Sequence, residues 1–362
     1  MPTQGHPTRD DPLAAEAITT SRKGQGGTAG MTIDLEPSTA RPERTVPAPL
    51  VITRDYSTPD RIYRAAVRVS GGGVFLLLVV IGIFLAWSGY PAFQQAGWKF
   101  FTRSGFQTLG DHPIFGVLAS IVGTVEVAVV AMLVGAPIAI ATALFLSEYA
   151  PLKTRRTLIA MIDLAAAIPS IIFGLWAVFE LQPNVVGFST WLSRHMDFIP
   201  FFKVVSPPLN ASIFIAGLVV GIMIVPIVAS ICREVFSLAP AGEREAALAL
   251  GASRWQMIRT VVLPFGRGGM VGAVMLGLGR ALEETIAVSI ILGGSFTVTA
   301  HILQHGGSTI SQLIAINFGS GGKLGLQALL LCGFVLFILT LVINLAASAI
   351  VNNSRSGAGV DL

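Results

Sequence analysis

Arg280, Glu283 and Glu284 place one guanidinium and two carboxylates within five residues of an otherwise apolar run. On a helix, residues three and four positions after Arg280 reach its side, so all three groups can share one face. A guanidinium cannot lose its proton and offers a planar fork of donors, which suits it to holding two oxygens of an oxyanion. Each such charge costs roughly 2.5–3.5 kcal/mol at the centre of a bilayer, so the cluster needs partners or a wet cavity. Two readings stand: a substrate passage or gate, and a buried ion pair that only orients helices. Two carboxylates beside one arginine leave a single net negative charge, which repels an anion. One glutamate is then protonated or turned away, or a second subunit brings further arginines. Gly277 and Gly279 would let a neighbouring backbone pack closely.

A second constellation is Glu245-Ala246-Ala247, then Gly251, then Leu263-Pro264, within a charged island at 240–264 that lies between two apolar runs. Pro240 suits a first helical turn, and Glu243 and Glu245 sit where the helix dipole favours carboxylates. Alanines and leucines at 246–250 propagate that helix, and Gly251 can take the left-handed conformation that ends it. Ser253 can cap a second helix over 254–262, which Pro264 is expected to close. Small faces at Ala246 and Ala247 admit a partner closely, with Glu245 as a polar anchor. The bland reading is an amphipathic helix lying on the membrane surface.

These residues must be positioned by membrane helices. Charged residues are only 12% of the chain, against about a quarter in soluble domains, and mean hydropathy is +0.72. Six runs are long enough to cross ~30 Å at 1.5 Å per residue: 69–89, 117–146, 158–181, 211–232, 267–293 and 325–350. The fold class is therefore an all-α polytopic membrane protein with six transmembrane helices. Its parts are a disordered tail at 1–68, a transmembrane domain at 69–350 and a short tail at 351–362. The first apolar run starts too late to be a cleaved signal peptide, and is expected to remain as a helix. The N-terminal tail mixes nine Lys/Arg with eight Asp/Glu, which argues against a nucleic-acid arm. Eighteen Lys/Arg fall in connections on one side and five on the other. The positive-inside rule then puts both termini and the 240–264 island in the cytoplasm.

Other residues are weaker candidates. Counted along straight helices, Arg280 lies ~20 Å from the inner face and Glu126 ~13 Å from the outer one, so the two could pair at one level. Asp163 lies only ~7 Å deep and can reach water. Pro169 removes a helical hydrogen bond inside the third run, freeing the carbonyl near Ala165, and Ser170 adds a hydroxyl there. Such a kink could line a pathway or simply serve packing. His301 and His305 share helical spacing but lack a third ligand, and Cys232 and Cys332 read as packing residues. Prolines at 183, 200, 207 and 208 point to an ordered outer loop over 182–210. No phosphate-binding Gly-x-x-x-x-Gly-Lys-Ser/Thr motif occurs, so any ATP-driven motor is another polypeptide.

The island's spacing resembles the EAA loop of ABC-importer permeases, with Val261 where that loop usually has Ile. Ile168-Pro169-Ser170-Ile171-Ile172-Phe173-Gly174-Leu175-Trp176, Leu278-Gly279-Arg280-Ala281-Leu282-x-Glu284-Thr285 and Phe145-Leu146-Ser147-Glu148-Tyr149-Ala150 together resemble the C-subunit permeases of Pst phosphate importers. The resemblance covers about residues 70–350 and implies a type I ABC-importer permease core. It also implies inward transport of inorganic phosphate across a bacterial cytoplasmic membrane by alternating access. Implied partners are a second, A-type permease, a dimer of ATPase subunits that binds ATP and Mg, an external phosphate-binding protein, and membrane lipid. No cofactor is expected in this chain, nor any enzymatic activity of its own. Arg280 and Glu284 occupy the family's membrane Arg and Glu positions, while Glu283 stands where Gly is usual. Sulfate, molybdate or phosphonate transport, and a membrane subunit that senses phosphate, are the alternatives.

Overall fold

Six helices in the computed structural model are long and apolar enough to cross a membrane, and they dominate the architecture. The structure describes residues 58–107, 114–205, 209–296, 298, 300–319 and 322–355. Met1–Ile62 and Tyr63–Leu362 separate as two units, and of the first only residues 58–62 are described. The tail at 1–57, Pro207, Pro208 and residues 356–362 lie outside the described residues.

The chain runs through α1 (Thr58–Ala96) and the short α2 (Lys99–Thr102) into an antiparallel hairpin, β1 (Ser104–Gln107) with β2 (Ile114–Val117). Next come α3 (Leu118–Leu144), α4 (Leu152–Ala166), α5 (Ser170–Trp176), α6 (Gln182–His195) and α7 (Ile213–Ser237). Then follow α8 (Ala241–Ala249), α9 (Arg254–Met257), α10 (Leu263–Glu283), α11 (Ile286–Leu292), α12 (Ile310–Asn317) and α13 (Gly322–Arg355). Wide π-helical turns at Phe145–Tyr149, Ala177–Leu181 and Ile258–Val262 extend α3, join α5 to α6 and join α9 to α10.

Three boundaries differ from the sequence expectation. Helix α1 begins at Thr58, so residues 58–68 are helical rather than part of a disordered tail. The third membrane-length helix is Ser170–His195, not 158–181, and it takes up much of the stretch read as an outer loop. Pro169 does not kink a helix. It lies between α4 and α5 with extended backbone (ψ 139°), and Ile168 N–H occupies the Ala165 carbonyl at 3.3 Å. A proline disfavours helical geometry in the residue before it, so a break competes with a kink on nearly equal terms.

Helix α7 sits at the centre, with α3 and α10 packed on it, and its face is almost wholly buried. Without water to drive apolar association, helices in lipid pack through small residues that bring backbones together. Gly217 and Gly221 of α7 and Gly135 of α3 do this. A Cβ on Gly217 would lie 2.5 Å from Val130, and one on Gly135 would lie 2.6 Å from the Gly221 carbonyl oxygen. Gly217→Leu is therefore expected to cost ~1–3 kcal/mol by overpacking. Gly73→Leu, at a position with open space around it, should be neutral. Thermal unfolding of the two purified variants checks the contrast. By comparison, α1 exposes Val74, Phe75, Leu76, Leu77 and Phe84, a surface suited to lipid as solvent.

Candidate functional site

Helix α10 carries Gly272, Leu276, Arg280 and Glu283 along one exposed stripe, spaced four, four and three residues apart. This stripe forms a wall of a cleft of about 790 Å³, completed by Ile227 of α7 and by Asn344 and Ser348 of α13. Arg280 projects there without an ion pair or hydrogen bond to any described residue. Glu283 is exposed beside it, and its carbonyl accepts from Thr285 Oγ1 at 3.0 Å.

Glu284 behaves differently because the helix breaks there. Its backbone is extended (ψ 123°), which ends α10, and α11 starts two residues later. The side chain is 8% exposed, and Oε1 accepts the Ala287 N–H at 3.3 Å, capping α11. Ser311 Oγ donates to the Glu284 carbonyl at 2.9 Å, and Ser289 Oγ donates to that of Thr285 at 2.7 Å. A break inside apolar surroundings is tolerable only when the freed backbone groups find such partners.

The third-run motif reaches this break indirectly. Helix α5, which starts just after Pro169, packs on α11, and a Cβ on Gly174 would come within 3.0 Å of Ala287 Cα. Pro169 and Ser170 themselves do not line the cleft. Nor does Glu126, a half-buried residue whose Oε2 has no partner among the described residues and which forms no ion pair with Arg280. Equal depth along two helices does not make side chains meet unless they also point at each other. Thus Arg280, Glu283 and Glu284 gather at one cleft, and Glu126, Pro169 and Ser170 stand apart from it.

Asn344 and Ser348 escaped the sequence reading, although two polar residues four apart in the last apolar run mark one helical face. The polar seam that seats α12 on α3 escaped it too. There Ile310 N–H donates to Thr124 Oγ1 at 3.0 Å, and Ser120 and Ser308 hydroxyls lie 3.2 Å apart. His301 and His305 donate through Nδ1 to the carbonyls of Pro200 (2.8 Å) and Asn210 (3.0 Å), tying two loops together. Among the described residues, no group of three or more metal-ligating side chains forms.

The charged island folds as a hairpin of helices. Gly251 has φ +83° between α8 and α9, its N–H bonding to the Leu248 carbonyl at 3.0 Å. Ser253 and Gln256 form a reciprocal capping box at the start of α9. Pro264 does not close this helix, which continues from Arg254 to Glu283. The π turn at Ile258–Val262 precedes the proline, and its wider winding accommodates a residue that lacks an N–H donor. Glu245, Ala246 and Gly251 are exposed, and Leu250 is 89% exposed, with Leu248 and Trp255 also open. Ala247 and Leu263 face inward, packed against the core.

Residues 135–356 match the family described as binding-protein-dependent transport system inner membrane component. The chain is 40% identical over 302 residues to the phosphate transport system permease protein PstC 2 of Mycobacterium tuberculosis, covering 82% of this chain and 93% of the relative. It is 36% identical over 306 residues to PstC of Xylella fastidiosa, covering 81% and 94%. Among solved structures it is similar to a bacterial ABC transporter involved in import of the acidic polysaccharide alginate, with TM-score 0.48 and 17% identity over 81% of this chain and 99% of the other.

Proposed function

The chain belongs to the binding-protein-dependent transport system inner membrane components, in the branch of the PstC permeases, and from that premise we propose that it is the channel-forming permease of an ATP-driven importer of inorganic phosphate. It is a multi-pass bacterial membrane protein of a transport-permease family. Permeases of this family work with ATP-hydrolysing subunits and a permease partner.

The observation that carries the reading is Arg280, a permanent cation with no ion pair or hydrogen bond to any described residue, on the wall of a cleft between membrane helices. Its fork matches two oxygens of a phosphate. A guanidinium is too costly to leave against lipid, so this stripe of α10 faces a wet passage shared with a second permease of the A type. Glu284 also borders the cleft, but it is largely buried and its Oε1 accepts the Ala287 N–H, which leaves little of its carboxylate open to an anion. Glu283 remains, and arginines of the second permease would offset it.

The exposed hairpin with Glu245, Ala246, Leu250 and Gly251 docks a dimer of B-type ATPase subunits, which hold the ATP and Mg. An external phosphate-binding protein delivers the ion on the opposite side. Both termini and the hairpin are cytoplasmic, in line with the Lys/Arg count. Nucleotide-driven closure of the motor pushes the hairpin and reorients the spans around Arg280.

Selectivity provides the test. In vesicles carrying the complete complex, labelled phosphate is expected to enter with ATP, and excess sulfate, molybdate or phosphonate should leave its uptake nearly unchanged. Strong competition by one of these anions would reassign the cargo to it.

A further inference from the structure

The first arm of the docking hairpin, α8, is held to the membrane body mainly by charge, whereas the second is anchored through buried Met257, Ile258 and Val262. Helix α8 has no buried residue, and of its apolar side chains only Ala247 packs, half-buried, against the core. Its other attachment is Arg244, whose Nη2 lies 3.1 Å from Glu148 Oε1 in a close ion pair. The same Nη2 donates to the carbonyl of Phe236, near the end of α7. Glu148 belongs to the π turn that ends the second membrane-length helix, and its side chain is only 6% exposed, against 22% for Arg244.

The other arm of the hairpin grips the same turn. Arg254, the first residue of α9, donates from Nη1 to the Glu148 carbonyl at 3.3 Å, and its guanidinium lies 5.9 Å from the centre of the Tyr149 ring. Both coupling helices therefore meet at Glu148-Tyr149, one through the carboxylate and one through the backbone and ring. From there α3 runs across the bilayer, locked to α7 by the Gly135 and Gly217 contacts.

We propose that Glu148 is the positioning residue that passes displacement of the coupling hairpin to the second membrane helix. The proposal rests on the docking of an ATPase at that hairpin. A mostly buried pair keeps a fixed geometry where an exposed one would be loosened by water and salt. Breaking one partner leaves the other charge uncompensated, so the hairpin can then shift without carrying α3 along.

Glu148→Gln retains shape and removes the charge, and Arg244→Gln breaks the same pair from the hairpin side if the first variant fails to accumulate. Each is placed in the complete complex in vesicles, with spin labels at the exposed positions Leu133 of α3 and Leu341 of α13. The expected result is ATPase subunits still bound and hydrolysis within about twofold of the unaltered complex, with phosphate moved per ATP down roughly tenfold. The ATP-driven change in the label distance should shrink in parallel. Exchanging the charges, Glu148→Arg with Arg244→Glu, should restore both readouts, which a purely structural role would not predict.

Unaltered label movement and transport in Glu148→Gln would overturn the proposal. So would loss of the bound ATPase, or an exchange variant that hydrolyses ATP yet stays uncoupled. A wild-type complex that moves its labels but carries no phosphate would count against the cargo alone, since the label readout still decides the role of Glu148.

Discussion

Arg280→Gln is expected to abolish phosphate uptake while leaving the complex assembled. Arg280 is exposed on the cleft wall, so its replacement breaks no hydrogen bond or ion pair to a described residue and should not unfold the chain. What it removes is a charge-assisted fork aimed at the passage. A hydrogen bond to a charged group contributes about 1.5–3 kcal/mol, and ~2.7 kcal/mol already corresponds to a hundredfold. Arg280→Lys keeps the charge and loses the planar fork, so an intermediate defect is expected from it. Glu283→Gln acts in the other direction, because it removes a carboxylate beside the guanidinium and should leave uptake intact or raise apparent affinity. The measurement is initial uptake into vesicles, with co-purification of the partner subunits as the assembly control. Normal uptake by Arg280→Gln would remove this residue from the ion's path and return the cluster to a helix-orienting role.

That the cluster was visible in the sequence at all follows from the solvent. In a lipid environment three ionisable residues in one apolar run stand out, and the six membrane-length segments follow from the same contrast between apolar runs and charged connections. Gly251 and Ser253 were legible for a different reason, since a left-handed turn and a capping hydroxyl are local requirements that few residue types meet. The breaks were not legible. Helices break at Pro169 and Glu284 because the freed backbone groups find partners: Ile168 N–H for the Ala165 carbonyl, Ser311 Oγ as donor to the Glu284 carbonyl, and Glu284 Oε1 as acceptor from the Ala287 N–H. Those partners come from distant segments or from a turn that exists only once the helix has broken.

Pro264 misled for a related reason. Read locally, a proline terminates a helix, yet the π turn preceding it absorbs the missing donor and the chain continues. Helical rise puts Glu126 and Arg280 at similar depths, but rotation about each axis is set by packing and keeps the two apart. Glu148 is the clearest case of function hidden from sequence. As a lone acid after an apolar helix it reads as an ordinary end-of-span charge, and its importance appears only when Arg244 and Arg254, about a hundred residues on, close around it.

Gly251→Pro should detach or uncouple the motor, and here the expected effect is again close to total. Gly251 has φ +83°, whereas proline is confined to about −65°. The substitution also deletes the N–H that bonds to the Leu248 carbonyl at 3.0 Å. The turn must therefore open, and the angle between α8 and α9 changes with it. Because α8 has no buried residue, the membrane body keeps its core and the chain should still insert and accumulate. The damage is confined to the surface carrying Glu245, Ala246 and Leu250, which lose their common orientation. A lost docking arrangement of this kind is expected to reduce ATPase co-purification at least ~tenfold, equivalent to ~1.4 kcal/mol, with uptake abolished. Gly251→Ala gives the graded control, since an alanine in left-handed geometry costs only about 1–2 kcal/mol and preserves the N–H. Affinity pull-down and stimulated ATP hydrolysis read the two variants side by side. A Gly251→Pro chain that retains both would place the motor's docking surface elsewhere, because no rearranged turn could keep the present faces of α8 and α9 in register.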